Sequence, residues 1–345
     1  MFNNFFNFFP VGQGLFYCGL LNGGEYSFVY DCGTEDKVST LFPFINTLHE
    51  WNNGNKLDFV VISHFHEDHI KGIKELENTI GFKKIFIPYI SDDSQIRTFI
   101  IGCSIFMNLD YQNDGGAFEQ NLSLIRYFLR LYESENDNVT IIYNTKTFIA
   151  HNWVFKLFNK TISPLEEGVL LTEINKLLHK HKVTSILKIF EIGKIKEVKA
   201  VYTKVFGKDL NRTSLMLLHY PYHIDYPRRV FYNPNNYGIA AGEKSEHYFY
   251  PYTLLTGDVK FDDQLATSVI HEYPTGISGV VQVPHHGSRD NWPSLLNKFP
   301  DFNCYVVNYG TTNKHGHPDY LLKTHVSNEK YFDNNEFIGF SYWIS

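Results

Sequence analysis

The sequence predicts an α/β layered fold, and three observations predict it. Short apolar and aromatic runs, broken by Gly and Asn, fill the first third of the chain. Between Lys56 and Ile90 a strand, a helix and a second strand follow one another. Past about residue 210 the rhythm of strands and turns returns. Strands alternating with helices imply helices packed on sheet faces.

Taken in order, "FFNFFPV", "LFYCGLL" and "YSFVYDCG" read as strands separated by turns. "KVSTLFPFINTLHEW" has apolar residues at helical spacing. "KLDFVVISH" reads as a strand, "DHIKGIKELENTI" as a helix and "KKIFIPYI" as a strand. In the middle, "FEQNLSLIRYFLRLYES" predicts a helix, and "NVTIIYNTKTFIA" with "WVFKLFNKTISP" a strand pair. The segment from Leu165 to about Lys208 loses this rhythm and reads as a largely helical insertion. It is locally basic, with Lys176, Lys180, Lys182, Lys188, Lys194, Lys196, Lys199, Lys204 and Lys208 against fewer acidic residues, Glu191 and Glu197 among them. The last third supplies the strands "TSLMLLHY", "YTLLTGDV", "SGVVQVPHHGS", "FNCYVVNYG" and "FIGFSYWIS", and "NPNNYGIAAGEKSEHYF" reads as an exposed loop. The expected organisation is a single domain over 1–345 with insertions at about 92–140 and 165–208.

Composition narrows the class. With 345 residues, 43% of them hydrophobic, the chain can bury a sizeable core. A net charge of −6 argues against a protein that is basic all over, though not against a local basic face. Cys18, Cys32, Cys103 and Cys304 are far apart and form no CxxC pair, so reduced thiols are expected. The N-terminal "MFNNFFNFFPVGQG" lacks a positive region and a cleavage site, and no apolar run has the length of a membrane span. A cytoplasmic protein without a membrane partner is the expectation.

The stretch "VISHFHEDHIKGIKEL" carries the chemistry. It crowds His64, His66, Asp68 and His69 into six positions directly after a strand. Neutral imidazole is the commonest transition-metal ligand, and carboxylate oxygen can complete such a site. One histidine in a loop would mean little. Three with an aspartate at H-x-H-x-D-H spacing satisfy several separate demands.

Here the chain resembles the metallo-β-lactamase superfamily, whose signature is H-x-H-x-D-H at a strand end, followed here by Gly72. The resemblance implies an αββα sandwich, two mixed β-sheets flanked by helices. It also implies a site for two divalent metal ions, zinc or manganese. Asp31 in "YDCGT" stands where the superfamily often supports the metal site by hydrogen bonding. Asp258 in "LLTGDV" stands where a carboxylate bridges both metals. "VPHHGS" supplies His285 and His286, one of which should be the last metal ligand, since adjacent strand positions point opposite ways. The order of "PVGQG", "DCG", "NRTSL", "LLTGD", "VPHHGS" and "HGHPDYLL" resembles the hydrolase domain of the competence protein ComEC and its soluble relatives. Many superfamily members have a further metal histidine before the bridging aspartate. The corresponding place here is "NRTSL", so Asn211 or Ser214 is expected near the metal or substrate, and one metal site is short of a protein ligand. His219 and His223 are nearby, but a strand histidine is more often packed than ligating.

The activity this implies is a metal-dependent hydrolase, foremost a phosphodiesterase or nuclease acting on nucleic acid or a nucleotide through a hydroxide shared by two metals. Asp68 would bind metal and orient the nucleophile, and His317 of "HGHP" would contact the scissile phosphate or protonate the leaving oxygen. Ser288 joins Asn211 and Ser214 as a substrate-binding candidate. If the basic insertion overhangs the site, its lysines could track a phosphate backbone, and Arg228 and Arg229 could add an aromatic and basic rim. The competing readings are a hydrolase of a lactone, thioester or β-lactam bond, and a silent binding module.

Overall fold

A computed structural model describes residues 4–107, 115–134, 136–207, 211, 213–223, 228–236, 245–261, 263–272, 279–298 and 302–344. The chain opens with an antiparallel meander of β1 (Asn4–Phe8), β2 (Phe16–Leu21) and β3 (Tyr26–Cys32). Next come α1 (Phe42–Trp51), β4 (Phe59–Val61), α2 (Glu67–Ile70), α3 (Ile73–Thr79) and β5 (Ile85–Pro88). A helical stretch, α4 (Ser94–Phe106) and α5 (Gly115–Glu133), precedes β6 (Val139–Ile142), β7 (Thr145–Ala150) and β8 (Trp153–Lys160). Three helices follow: α6 (Pro164–His181), α7 (Ile186–Glu191) and α8 (Ile195–Phe206). The remainder is β9 (Ser214–Pro221), β10 (Arg228–Asn236), β11 (Ser245–Phe249), β12 (Tyr252–Leu255), α9 (Asp263–Glu272), β13 (Gly279–Gln282), α10 (Pro293–Lys298), β14 (Cys304–Asn308), α11 (Tyr320–His325), β15 (Tyr331–Asn334) and β16 (Gly339–Ile344).

The strands form two mixed sheets, ordered β11-β10-β16-β1-β2-β3-β4-β5-β6 and β15-β14-β13-β12-β9-β8-β7. Three apolar layers result. One, with Phe28, Phe59, Phe155 and Val306, fills the space between the sheets. A second lies beneath α1 and α3–α8 on the outer face of the first sheet. The third, with Val269, Leu295 and Leu322, lies beneath α9–α11 on the outer face of the second. This is the αββα sandwich expected from the sequence.

The helical stretches at 92–140 and 165–208 share the second layer. Asp93 starts α4 by accepting hydrogen bonds from the Gln95 and Ile96 amides. Ser163 and Glu166 form a capping box at the start of α6, with Pro164 in its first turn. A Cβ on Gly102 would lie 2.3 Å from the Phe190 ring, so the glycine lets α7 approach α4.

Two expectations need correction. The predicted pair from 138–150 and 153–164 is split between the sheets. β6 joins β5 in the first, and only β7 pairs with β8 in the second. The segment read as an exposed loop over 233–249 contributes to a β-ribbon, β10 with β11, on the edge of the first sheet; its residues 237–244 lie outside the described residues.

A polar chain crosses the apolar layer between the sheets. The Trp153 indole N–H donates to His219 Nδ1 at 3.0 Å, which leaves Nε2 to donate to Tyr17 Oη at 2.8 Å. Tyr17 in turn reaches Tyr342 Oη at 2.8 Å, and Tyr342 reaches Thr253 Oγ1. His219 is thus a packed strand residue, as anticipated. All four cysteines are free and buried. Among the described residues no helix is long and apolar enough to cross a membrane.

Candidate metal centre

The centre forms where strand ends of both sheets meet. β4 ends at Val61, and the chain turns through Ser63–His66 into α2. Two glycines let neighbouring loops close on this turn. A Cβ on Gly33 would lie 2.3 Å from both the Asp68 carbonyl carbon and the His69 nitrogen, and one on Gly14 would lie 2.7 Å from Asp68 O. The Leu15 amide donates to that same carbonyl at 3.1 Å. The glycines of "PVGQG" and "DCG" therefore form a backbone cradle for Asp68 and His69.

Six of the predicted ligands fall into two groups whose ligand atoms lie within 4.8 Å of one another. One holds Asp68, His69, Asp258 and His286; the other holds His64, His66 and Asp258. Asp258 belongs to both. Its Oδ1 is 3.1 Å from His69 Nε2, and its Oδ2 is 3.7 Å from both His64 Nε2 and His286 Nε2. All six side chains are buried. His64 Nε2, His66 Nε2, His69 Nε2, Asp68 Oδ1 and Asp258 Oδ1 have no hydrogen-bond partner. Buried polar atoms are ordinarily satisfied, so five orphans facing one another fit a shared cation.

Hydrogen bonds on the far side of the rings set their orientation. Asp31 accepts from Ser63 N at 2.7 Å, Ser63 Oγ at 2.5 Å and His69 Nδ1 at 2.7 Å. Ser63 Oγ, having donated to Asp31, accepts from His64 Nδ1 at 2.8 Å. His286 Nδ1 donates to the Asn308 carbonyl at 2.8 Å. Each of these rings gives its Nδ1 proton away and turns Nε2 to the centre. Asp31 holds this position with φ +57°, a left-handed conformation that aspartate tolerates better than most residues.

The electrostatics agree. Burial lowers His64, and pushes His66 down to about 4, so both imidazoles are neutral and able to ligate. Burial would also lower His69 and His286, but the surrounding carboxylates outweigh it and raise both. Burial would raise Asp68 and Asp258, but His69 and His286 outweigh it and lower both. A cluster that draws protons onto two buried histidines attracts a divalent cation for the same reason.

His285 and His286 are not strand positions. They occupy a 3₁₀ turn after β13, with φ +49° and +54°. Their rings still diverge, with centroids 6.1 Å apart. His286 enters the cluster, 3.0 Å from Asp68 Oδ2. His285 lies outside both groups, half-buried, bonded to Asn291 Oδ1 at 3.2 Å and 3.9 Å from Asp258 Oδ2.

The remaining candidates surround the centre at different depths. Ser214 is fully buried at the start of β9, where the Leu215 amide donates to Ser63 O at 2.7 Å; Asn211 is buried just before it. This places "NRTSL" beside the strand end that carries His64. Ser288 closes the His285–His286 turn and is half-buried. His317 is half-buried, with its ring centroid 5.4 Å from His285 and 6.5 Å from His286; burial, then His285, push it down to about 4.

The basic features behave otherwise than the sequence suggested. Lys176 and Lys204 pair with Glu173 at 2.6 and 2.8 Å, Lys180 with Glu197 at 2.7 Å, and Lys188 with Glu191 at 3.0 Å. Lys208 lies outside the described residues. Arg228 and Arg229 do not rim the centre. Val230 is level with Ile344 and thus with Asn4, the end of the sheet remote from the Phe8–Leu15 connection that reaches Asp68.

Sequence reasoning missed Ser63, Asn308 and Gln282. Gln282 Oε1 accepts from the Thr256 and Gly257 amides at 2.9 and 2.8 Å, and its Nε2 donates to Gly257 O and Val283 O, both at 3.1 Å. It fastens the turn that presents Asp258 to the strand that leads to His286. Ser63 alone had a readable signal, its place directly before the histidine motif.

Residues 12–91 match the family described as Metallo-beta-lactamase superfamily. A probable metallo-hydrolase, YhfI, of Bacillus subtilis (strain 168) is 33% identical over 86 residues, which is 23% of this chain and 32% of that protein. The match thus spans about a third of the relative's length. Among solved structures, a long form RNase Z from yeast has a TM-score of 0.38 at 10% identity, covering 88% of this chain and 36% of that one. A diphosphatase from the PhnP family has a TM-score of 0.38 at 7% identity, covering 97% and 96%.

Proposed function

From the metallo-β-lactamase superfamily domain that this chain carries, we propose a metal-dependent phosphodiesterase acting on nucleic acid or a nucleotide. The observation that carries the reading is Asp258, which belongs to two adjacent ligand groups and so suits two ions side by side. His64, His66 and Asp258 would hold one; Asp68, His69, Asp258 and His286 would hold the other. Zinc and manganese both suit these donors. When bound, such a pair supplies an acidified water and Lewis-acid stabilisation of a phosphoryl oxygen. The group with three residues is the weaker holder of the two.

The chain's own residues do the rest. Asp31 and Ser63 hold the rings of His64 and His69, so little reorganisation is needed during reaction. Asp68, one of the residues that would hold an ion, would also accept a hydrogen bond from the attacking water. His317, neutral in its half-buried position, contacts a phosphoryl or leaving oxygen. The reaction consumes one water: its oxygen joins phosphorus, the bond to the leaving oxygen breaks, and that oxygen takes a proton. The order of its motifs, which resembles that of the ComEC hydrolase domain, favours a phosphodiester over other esters.

The test is metal content together with cleavage of bis(p-nitrophenyl) phosphate, DNA and RNA, by wild type and Asp68→Ala. Cleavage of at least one diester that Asp68→Ala abolishes is the expected result. A protein that binds two ions yet cleaves no phosphodiester, while opening a lactone or thioester, would overturn the reading.

A further inference from the structure

Beside the centre lies a cleft of about 950 Å³ that the metal ligands do not line. It adjoins the Asp68 side of the cluster. Glu67, next to Asp68, forms part of its wall, and His315, whose ring centroid is 5.9 Å from that of His317, forms another. The volume sits at the upper end of the range for small-molecule sites, about 300–1,000 Å³.

Its charges are nearly balanced. Four carboxylates and three lysines line it. Lys71 is committed within the wall: its Nζ is 3.7 Å from Glu67 and donates to the Glu35 and Asp36 carbonyls at 3.1 and 3.0 Å. Glu35 pairs with His315 at 3.1 Å. Lys37 and Lys314 are exposed, and neither has an ion-pair partner among the described residues. These two ammonium groups are what the cleft offers a phosphate beyond the one at the metal centre, beside the carboxylates of Asp36 and Glu336.

A polymer needs more than this. Each phosphate that is tracked requires a cation along the path, and single-stranded binding weakens with salt at a log–log slope of about −0.7 per contact. Among the described residues no further lysine or arginine lines the cleft. Lys176, Lys180, Lys188 and Lys204 are held by Glu173, Glu197 and Glu191, Lys199 donates to the Met107 carbonyl at 2.7 Å, Lys182, Lys194 and Lys196 are exposed but do not line the cleft, and Arg228 and Arg229 lie at the opposite end of the first sheet.

We propose that this cleft binds the leaving portion of a small phosphodiester, nucleotide to dinucleotide in size, with Lys37 and Lys314 holding a second phosphate at its mouth. The inference rests on the phosphodiesterase reading of the metal centre, but its test reads binding and not turnover. Metal-loaded wild type is titrated by calorimetry with a 5′-phosphorylated dinucleotide, with the same dinucleotide lacking that phosphate, and with a longer oligonucleotide of the same base.

Several results are expected together. The phosphorylated dinucleotide binds at least as tightly as the oligonucleotide, with a salt slope no steeper than about −2. Removing its terminal phosphate weakens binding about tenfold, and so does the double variant Lys37→Gln/Lys314→Gln, which weakens the unphosphorylated dinucleotide far less. Tighter binding of the oligonucleotide with a slope steeper than about −4 would overturn the inference. So would dinucleotide binding indifferent to both the terminal phosphate and the lysines. If the dinucleotides bind as expected but no diester is cleaved, the cleft assignment stands and the phosphodiesterase reading fails.

Discussion

Asp31→Asn isolates what the buried carboxylate does for the metal centre. Asparagine has nearly the same shape and tolerates the left-handed φ of +57° at this position, so the backbone is kept. The side chain now offers one acceptor oxygen and an NH₂ where the carboxylate accepted three hydrogen bonds, from Ser63 N, Ser63 Oγ and His69 Nδ1. One of these partners must lose its acceptor, and His64, held through Ser63, loses its support with it. A hydrogen bond to a charged group contributes about 1.5–3 kcal/mol, and loss of a carboxylate behind a ligand histidine weakens metal binding by about 10- to 100-fold. The two figures agree, since tenfold is about 1.4 kcal/mol. Stability of the metal-free protein should fall far less, because the variant also removes a carboxylate that burial disfavours. Metal affinity by competition with a chromophoric chelator, alongside thermal unfolding of the metal-free protein, reads both quantities. Affinity within twofold of wild type would refute the reasoning. A large drop in metal-free stability at unchanged affinity would make Asp31 a folding residue.

Other outcomes follow from the same geometry. Metal should load in two steps, the four-residue group first; His66→Ala should retain one ion after dialysis where wild type retains two, measured by atomic emission, and retention of two would refute the assignment. Stability should depend on His219. Burial pushes its pKa down to about 3 from an ordinary 6.5, so the folded state excludes a proton that the unfolded state binds. The contribution is therefore fully present above about pH 6.5 and lost at up to about 1.4 kcal/mol per pH unit as pH falls towards 3. Urea unfolding at several pH values should show a flatter profile for His219→Phe than for wild type; parallel profiles would sink this account.

Much of the centre was legible because its chemistry is local. His64, His66, Asp68 and His69 share one turn, and "LLTGD" and "YDCG" end strands whose apolar runs are plain. What was not legible depends on distant partners. Lys180 and Glu197 stand 17 residues apart, and Lys204 and Glu173 stand 31 apart, so these lysines looked open when they were paired. β6 and β7 are separated by two residues, and no local pattern marks their passage from one sheet to the other. The His285–His286 turn looked like strand because positive φ at non-glycine residues leaves no mark in the sequence. The β10 strand ends in Asn-Pro-Asn-Asn, which read as a loop, and its pairing depends on β16 at the far end of the chain.

The polar chain from Trp153 through His219 and Tyr17 to Tyr342 and Thr253 bears on the spacing of the metal ligands. Facing layers of Phe, Leu and Val are slippery: apolar contact is nearly indifferent to a small slide of one sheet over the other. Hydrogen bonds are not, since they weaken steeply with misalignment. The chain crosses between the sheets twice, with Tyr17 and Tyr342 on one and Trp153, His219 and Thr253 on the other, so it works as a dowel through two boards. His64, His66, Asp68 and His69 are carried by one board, Asp258 and His286 by the other. The distances that decide whether an ion fits at one end of the sandwich are thus set partly by a run of hydroxyls and rings in its middle that never touches the ion.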